Sequence, residues 1–326
     1  MFTHIYETAP SAKAFIEQLL DAQSSWQNSR RGIFVWRGVG DFDKYKLVPS
    51  ALRVIRSPSL LQIANLQSQS IYSSLNDNLK QAYLEFKVIE GFLKLADRSG
   101  LPMPDLPQNF RNAFDDFADE SGQSQFESLL LGWPHRNVIP FISLAQHYGL
   151  PTRLLDWTYS SLTAAYFAGE SALRHVPGDA SGEVDQKYLA VWLTNPYDLS
   201  GTAQRNQNTN ALDLRVEVSA PPRFQNPNLN AQSGLFTWLS GPLGLNVEVA
   251  RMPLDDLVNK MKQKIDPNSD RTIGSFMVFR LAWRHADELV SRLFNLGVSR
   301  ASLEPGFGGV ASAMKVLANL RWEPGR

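Results

Sequence analysis

Between Gln146 and Ala168 the chain reads QHYGLPTRLLDWTYSSLTAAYFA, with His147, Thr152, Arg153, Asp156 and Thr158 set among aromatic and backbone-breaking residues. Polar groups at that density are unusual in a segment flanked by buried patterns, and loops that carry them are where binding and catalysis concentrate. Gly149 and Pro151 end a preceding helix, Arg153 to Trp157 has the length of a strand, and Thr158 or Ser160 can cap the helix that follows. The chemistry expected there is ligand or anion binding, because free N–H groups at a helix start point outward. Asp156 and Trp157 would project from the strand's end. The structural alternative makes Trp157, Tyr159, Tyr166 and Phe167 core, His147 a satisfied buried histidine, and Arg153 with Asp156 an ion pair.

Elements on both sides must hold this turn in place. Leu162 to Ala168 is rich in small residues, so that helix can pack closely on its neighbour. Upstream, Ser11 to Trp26 has helical spacing with Ser11 as N-cap, and Gly32 to Gly38, GIFVWRG, reads as a strand that puts Arg37 at its end. Pro49 and Ser50 form a turn. Helical periodicity runs from about Ser59 to Arg98, a Pro-rich break begins at Leu101, and Phe110 to Leu131 is helical again, which together suggest a helical insertion at roughly 55–135. Downstream, Gly178 to Gln186 is a polar loop and Tyr188 to Thr194 a strand. Residues 195–233, rich in Asn, Gln and Pro, are expected to form long ordered loops. Ser275 to Ala282 reads as a strand, His285 to Leu296 as a helix closed by Gly297, Val298 to Leu303 as a short strand, and Gly309 to Leu320 as a last helix. Strands and helices do not alternate regularly, which argues against a parallel doubly wound sheet.

The 326 residues, 43% hydrophobic and 20% charged, suit a globular protein with a large core, read here as one elaborated domain over 1–326. Lys and Arg total 32 and Asp and Glu total 32, so no global field selects nucleic acid or an anionic membrane. The chain has no cysteine, which excludes disulfides and thiolate chemistry. The N-terminus does not read as a leader, and no 18 apolar residues run together; the expectation is a cytoplasmic protein without a membrane partner. Motifs for a phosphate loop, a dinucleotide-binding turn, a zinc helix or a serine nucleophile elbow are absent.

VWRG at Val35 to Gly38, LVPSALR at Leu47 to Arg53, QHYGLPTRLLDWT at Gln146 to Thr158, AQSGLF at Ala231 to Phe236 and GVSRASLEPGFGG at Gly297 to Gly309 resemble the FRG domain family in sequence and order. Their layout is in turn similar to the ADP-ribosyltransferase fold: Arg-Gly on a first strand, a hydroxyl ending a second strand before a small-residue helix, and a late acidic or amide residue. The resemblance implies an α+β fold with a split, mostly antiparallel sheet, NAD as co-substrate, no metal, and transfer of ADP-ribose to a macromolecule by a toxin or phage-defence effector. Arg37 would hold phosphate or a ribose-linked oxygen and Gly38 would let the ligand approach the backbone. Thr158 and Ser160 would support the nicotinamide ribose, Trp157 or Tyr148 would stack on the ring, His147 would bond a ribose hydroxyl, and Thr152 and Arg153 would complete the cofactor site. Arg37, Asp156, Gln232 and Glu304 are the catalytic candidates, although Glu304 stands where the family more often has an aromatic residue. The acceptor leans to RNA or single-stranded DNA over protein, with Arg136, Arg153, Arg205, Arg215 and Arg223 lining a groove. An antitoxin is a possible partner. Loss of the carboxylate would leave a nucleotide-sensing or interaction module, and water as acceptor would make an NAD glycohydrolase.

Overall fold

A computed structural model describes residues 3–5, 8–27, 33–53, 59–64, 69–101, 130–174, 186–205, 212–220, 231–232, 234–242, 246–263 and 275–320. Eight strands form one sheet: β1 (Thr3–Ile5), β2 (Val35–Val39), β3 (Leu155–Thr158), β4 (Tyr188–Thr194), β5 (Ala203–Arg205), β6 (Leu212–Ser219), β7 (Gly234–Ser240) and β8 (Phe276–Ala282). Their order is β1-β8-β4-β2-β3-β7-β6-β5, with β1 parallel to β8 and every other ladder antiparallel. This is the α+β, mostly antiparallel architecture expected from the sequence.

The ladders are unequal, and that positions the site. β2 pairs with β4 from Val35↔Thr194 to Val39↔Ala190, and β3 pairs with β7 along its whole length. Between them, β2 and β3 share only Trp36↔Thr158. The sheet is therefore held at one point in its middle and opens beyond it, next to Arg37 and Asp156.

The longer helices are α1 (Ala12–Gln27), α2 (Asp77–Arg98), α3 (Ile139–His147), α4 (Ser161–Leu173), α5 (Leu254–Gln263), α6 (Ala286–Asn295) and α7 (Phe307–Ala318). On one face, α1, α4 and α6 bury Trp36, Leu189, Val191, Leu193, Phe279 and Leu281. On the other, Val35, Val39, Ala190, Trp192, Trp157 and Val278 pack with Leu254 and Val258 of α5. Burial on both faces explains why YLAVWLT is apolar throughout rather than alternating. A third core joins α2 and α3 to Phe236 and Trp238 of β7. Arg153, at the entrance to β3, is buried against Glu85 of α2, with Nε to Oε2 at 2.5 Å and Nη2 to Oε1 at 3.0 Å. Trp133 and Gln81 also donate to that carboxylate.

Local signals account for most boundaries. Ser11 Oγ accepts from Ala14 N at the start of α1, and Gly149 and Gly297 take positive φ after α3 and α6. Residues 195–233 depart from the expectation of loops: they include the turn of helix Pro196–Ser200 and strands β5 and β6. Alternation in LDLRVEVS, which buries Leu214 and Val216, outweighs the polar composition around it. Val298 to Leu303 is not a strand either; Ser299 forms a capping box and Arg300–Leu303 is a helical turn. Among the described residues β8 is the last strand, and Glu304 stands at the end of that turn. Arg37 is central in β2 rather than at its end, because pairing with β4 continues through Gly38 and Val39. Most of the helix expected at Phe110 to Leu131, the Pro-rich break after Leu101 and Arg223 lie outside the described residues, as does the Arg205 side chain.

Candidate functional site

Where β2 and β3 part, the Arg37 side chain spans the gap. Its Nη1 donates to the Asp156 backbone oxygen at 2.7 Å and to Asp156 Oδ1, linking two strands whose ladder has ended. Trp36, Arg37 and Gly38 form one wall of a cleft here. His147 from the end of α3, residues Asp156 to Thr158, Ala164 and Phe167 of α4, and Gln232, Gly234 and Phe236 complete it. The cleft is shallow: about 380 Å³ is reached only by counting the open solvent at its mouth, and the enclosed part has room for little more than water.

The electrostatics of the cleft are defined by two groups. Desolvation pushes the Asp156 carboxyl up, but the Arg37 charge and hydrogen bond outweigh it and hold the group below the usual carboxylate range. Burial pushes His147 down, opposed in part by the negative charges of Asp156 and Glu304. At neutral pH the cleft therefore holds an ionised Asp156 beside a neutral His147. Two buried polar atoms here have no partner among the described residues: Arg37 Nε and His147 Nε2. The His147 ring stands edge-on to Phe236, with centroids 6.2 Å apart.

The other expected residues divide between cleft and scaffold. Thr158 lines the cleft, donating from Oγ1 to the Gln232 carbonyl at 2.7 Å, and Gln232 Nε2 donates to the Leu303 carbonyl at 3.3 Å. Glu304 is tied to Arg300, which also grips Glu170 and lies over the Phe167 ring. Gly38 serves helix packing: a Cβ there would lie 1.9 Å from Ala164 O and 2.8 Å from Ala168 N, so the absent side chain admits α4 rather than a ligand. Ser160 caps α4 through Thr163 N, and Gln23 takes Ser161 N, so protein groups already occupy donors that were expected to face an anion.

Four assignments change. The Trp157 ring is buried, donates to Thr237 Oγ1 at 3.0 Å and stacks on Phe276, which leaves it unavailable to a nicotinamide ring. Tyr148 is exposed beside Phe92, outside the cleft lining. Thr152 is buried behind Asp156, bonded to Gln146. Arg153 pairs with Glu85 and not with Asp156, facing a separate apolar hollow between Leu47 and Leu254. Of the arginines expected to line a groove, Arg153 is buried against Glu85 and Arg215 pairs with Glu217 toward the far edge of the sheet. Gln146, which bonds both Asp156 and Thr152, was not among the expected site residues; as an uncharged amide beside His147 it carried no signal except its place in the same string.

An α+β sheet opened at its middle, with an Arg–Asp pair across the opening and a histidine beside it, describes the class of site. The FRG domain family model matches residues 32–176, which include β2, β3, α4 and the Arg37, Gln146, His147, Asp156 and Thr158 cluster. Gln232 and Glu304 lie outside that span. Nothing matches among curated proteins or among solved structures. No described helix is long and apolar enough to cross a membrane, and the described residues contain no group of three or more side chains suited to hold a metal.

Proposed function

We propose that the cleft binds NAD and transfers its ADP-ribose to a macromolecule, the activity of a toxin or phage-defence effector. The observation that supports this most is the Arg37–Asp156 pair across the opened sheet, with Arg37 Nε and His147 Nε2, buried atoms of residues that line the cleft, lacking partners among the described residues. In such a reaction the bond between ribose C1′ and the nicotinamide nitrogen breaks, its electron pair leaves with neutral nicotinamide, and positive charge develops at the ribose. An ionised carboxylate held in place is suited to stabilise that charge without reorganising. The acceptor's lone pair then forms the new bond to C1′ and its proton passes to solvent.

One observation favours a second reading. The Glu304 carboxylate is committed to Arg300, so among the described residues Asp156 alone supplies acid to the cleft lining. A nucleotide-sensing module without chemistry would need no more. Incubation with labelled NAD and cell extract separates the readings: label on a macromolecule supports transfer, free ADP-ribose supports hydrolysis, and binding without either supports the module. Nuclease and protease digestion of the product then tests the RNA or single-stranded DNA acceptor against protein. Toxicity on expression, relieved by a co-expressed neighbouring protein, is expected if an antitoxin exists.

A further inference from the structure

The end of α3 and the turn entering β3 form a hydrogen-bonded relay behind the Asp156 carboxylate. Thr152 Oγ1 accepts from Leu154 N at 3.2 Å and donates to Gln146 Oε1. A threonine hydroxyl has one proton, and here it goes to Gln146. At the other end Gln146 Nε2 donates to Asp156 Oδ1 at 3.0 Å, and because an ionised carboxylate only accepts, it fixes the NH2 toward Asp156 and the amide oxygen toward the Thr152 proton. The flipped amide would set an oxygen against the carboxylate, so Asp156 selects the orientation, and the Thr152 hydroxyl completes it by donating to the amide oxygen. Arg37 Nη1 donates to the same Oδ1. Both side-chain donors converge on Oδ1, none of the described side chains donates to Oδ2, and the side chain is half-exposed at the cleft.

We propose that Gln146 and Thr152 are positioning residues that fix the Asp156 carboxylate through Oδ1 and leave Oδ2 as the oxygen presented to a ligand's positive centre. This assignment rests on the proposed function only for what the positive centre is. The geometry is directional: Arg37 supplies charge from β2, Gln146 supplies a neutral donor from α3, and the two approach one oxygen from different elements, so the carboxylate cannot rotate without losing both. It also gives Thr152, buried and away from the cleft lining, a role that direct cofactor contact does not.

The test follows the Asp156 carboxyl by carbon-13 NMR titration, assigned with Asp156→Asn, in the full chain carrying Gln146→Leu, Thr152→Val or Thr152→Ser. Removing the Gln146 donor shifts the Asp156 titration upward, Thr152→Val shifts it the same way by freeing the amide to turn, and Thr152→Ser, which keeps the hydroxyl, leaves it in place. Turnover with NAD falls roughly tenfold in kcat for the first two, with KM little changed. Should Gln146→Leu fail to fold, the Thr152→Val and Thr152→Ser pair decides alone. An unchanged Asp156 titration in folded Gln146→Leu, or equal titrations in the two Thr152 variants, overturns the assignment. If wild-type protein consumes no NAD, the functional reading fails while the titrations still decide the positioning.

Discussion

Replacing Arg153 with Ala tests whether this arginine belongs to the scaffold. Both side chains of the Arg153–Glu85 pair are 3% exposed, and the Glu85 carboxylate accepts from Arg153 Nε and Nη2, from Trp133 Nε1 at 3.0 Å and from Gln81 Nε2 at 2.8 Å. Truncation leaves a buried carboxylate with two neutral donors and no counter-charge. Breaking such a pair from one side costs about 3–5 kcal/mol, a large share of the 5–15 kcal/mol or so that ordinarily separates folded from unfolded states. The pair also joins α2 to the entrance of β3, so its loss loosens the third core where that core meets the site. Urea unfolding followed by tryptophan fluorescence measures the effect, and a cycle of Arg153→Leu, Glu85→Leu and the double replacement Arg153→Leu/Glu85→Leu isolates the coupling. The double variant is expected to regain much of what either single variant loses, because no unpaired charge remains buried. If Arg153→Ala stays within about 1 kcal/mol of wild type while NAD binding collapses, Arg153 is a ligand contact and this reasoning is wrong.

Arg37→Ala is expected to lower NAD-dependent turnover about a hundredfold, the loss of a charged hydrogen-bonded pair, with circular dichroism unchanged; unfolding would show instead that the bridge to Asp156 holds the sheet. Gly38→Ala puts a methyl against the backbone of α4, so thermal unfolding should register a loss of about 2 kcal/mol or more even though no cleft contact is removed. Asp255 is buried, its Oδ1 lacks a partner among the described residues, and desolvation with the nearby Asp256 charge raises it to about 6. The native state thus holds its proton more tightly than the unfolded chain does. Stability from this group is present below the unfolded value and is lost as pH rises through about 6, a penalty on the order of 3 kcal/mol above that range. Asp255→Asn should therefore stabilise the protein at pH 8 relative to wild type and make little difference at pH 4, and equal effects at both would refute the shift.

Much of the framework was legible in the residues. Ser11 and Ser160 cap their helices because their hydroxyls accept nearby N–H groups, Gly149 and Gly297 follow helices because a left-handed turn favours glycine, and YLAVWLT forms a strand because few other elements are so short and uniformly apolar. The central string stood out by its density of polar groups, and the family match covers it. The partners of those groups were not legible. Arg153 and Asp156 are three residues apart on one chain, yet each pairs across the fold, with Glu85 68 residues away and Arg37 119 residues away. Arg153 lies in the turn before β3 and Asp156 within it, and their side chains reach surroundings that only the packing of α2 and β2 supplies. The opening between β2 and β3 has the same character: it results from how far a ladder between distant segments extends, and neither segment encodes that length alone. Gly38 shows the limit most plainly, since a glycine beside an arginine fits a ligand's approach or a helix's equally well, and the position of Ala164 O selects the helix.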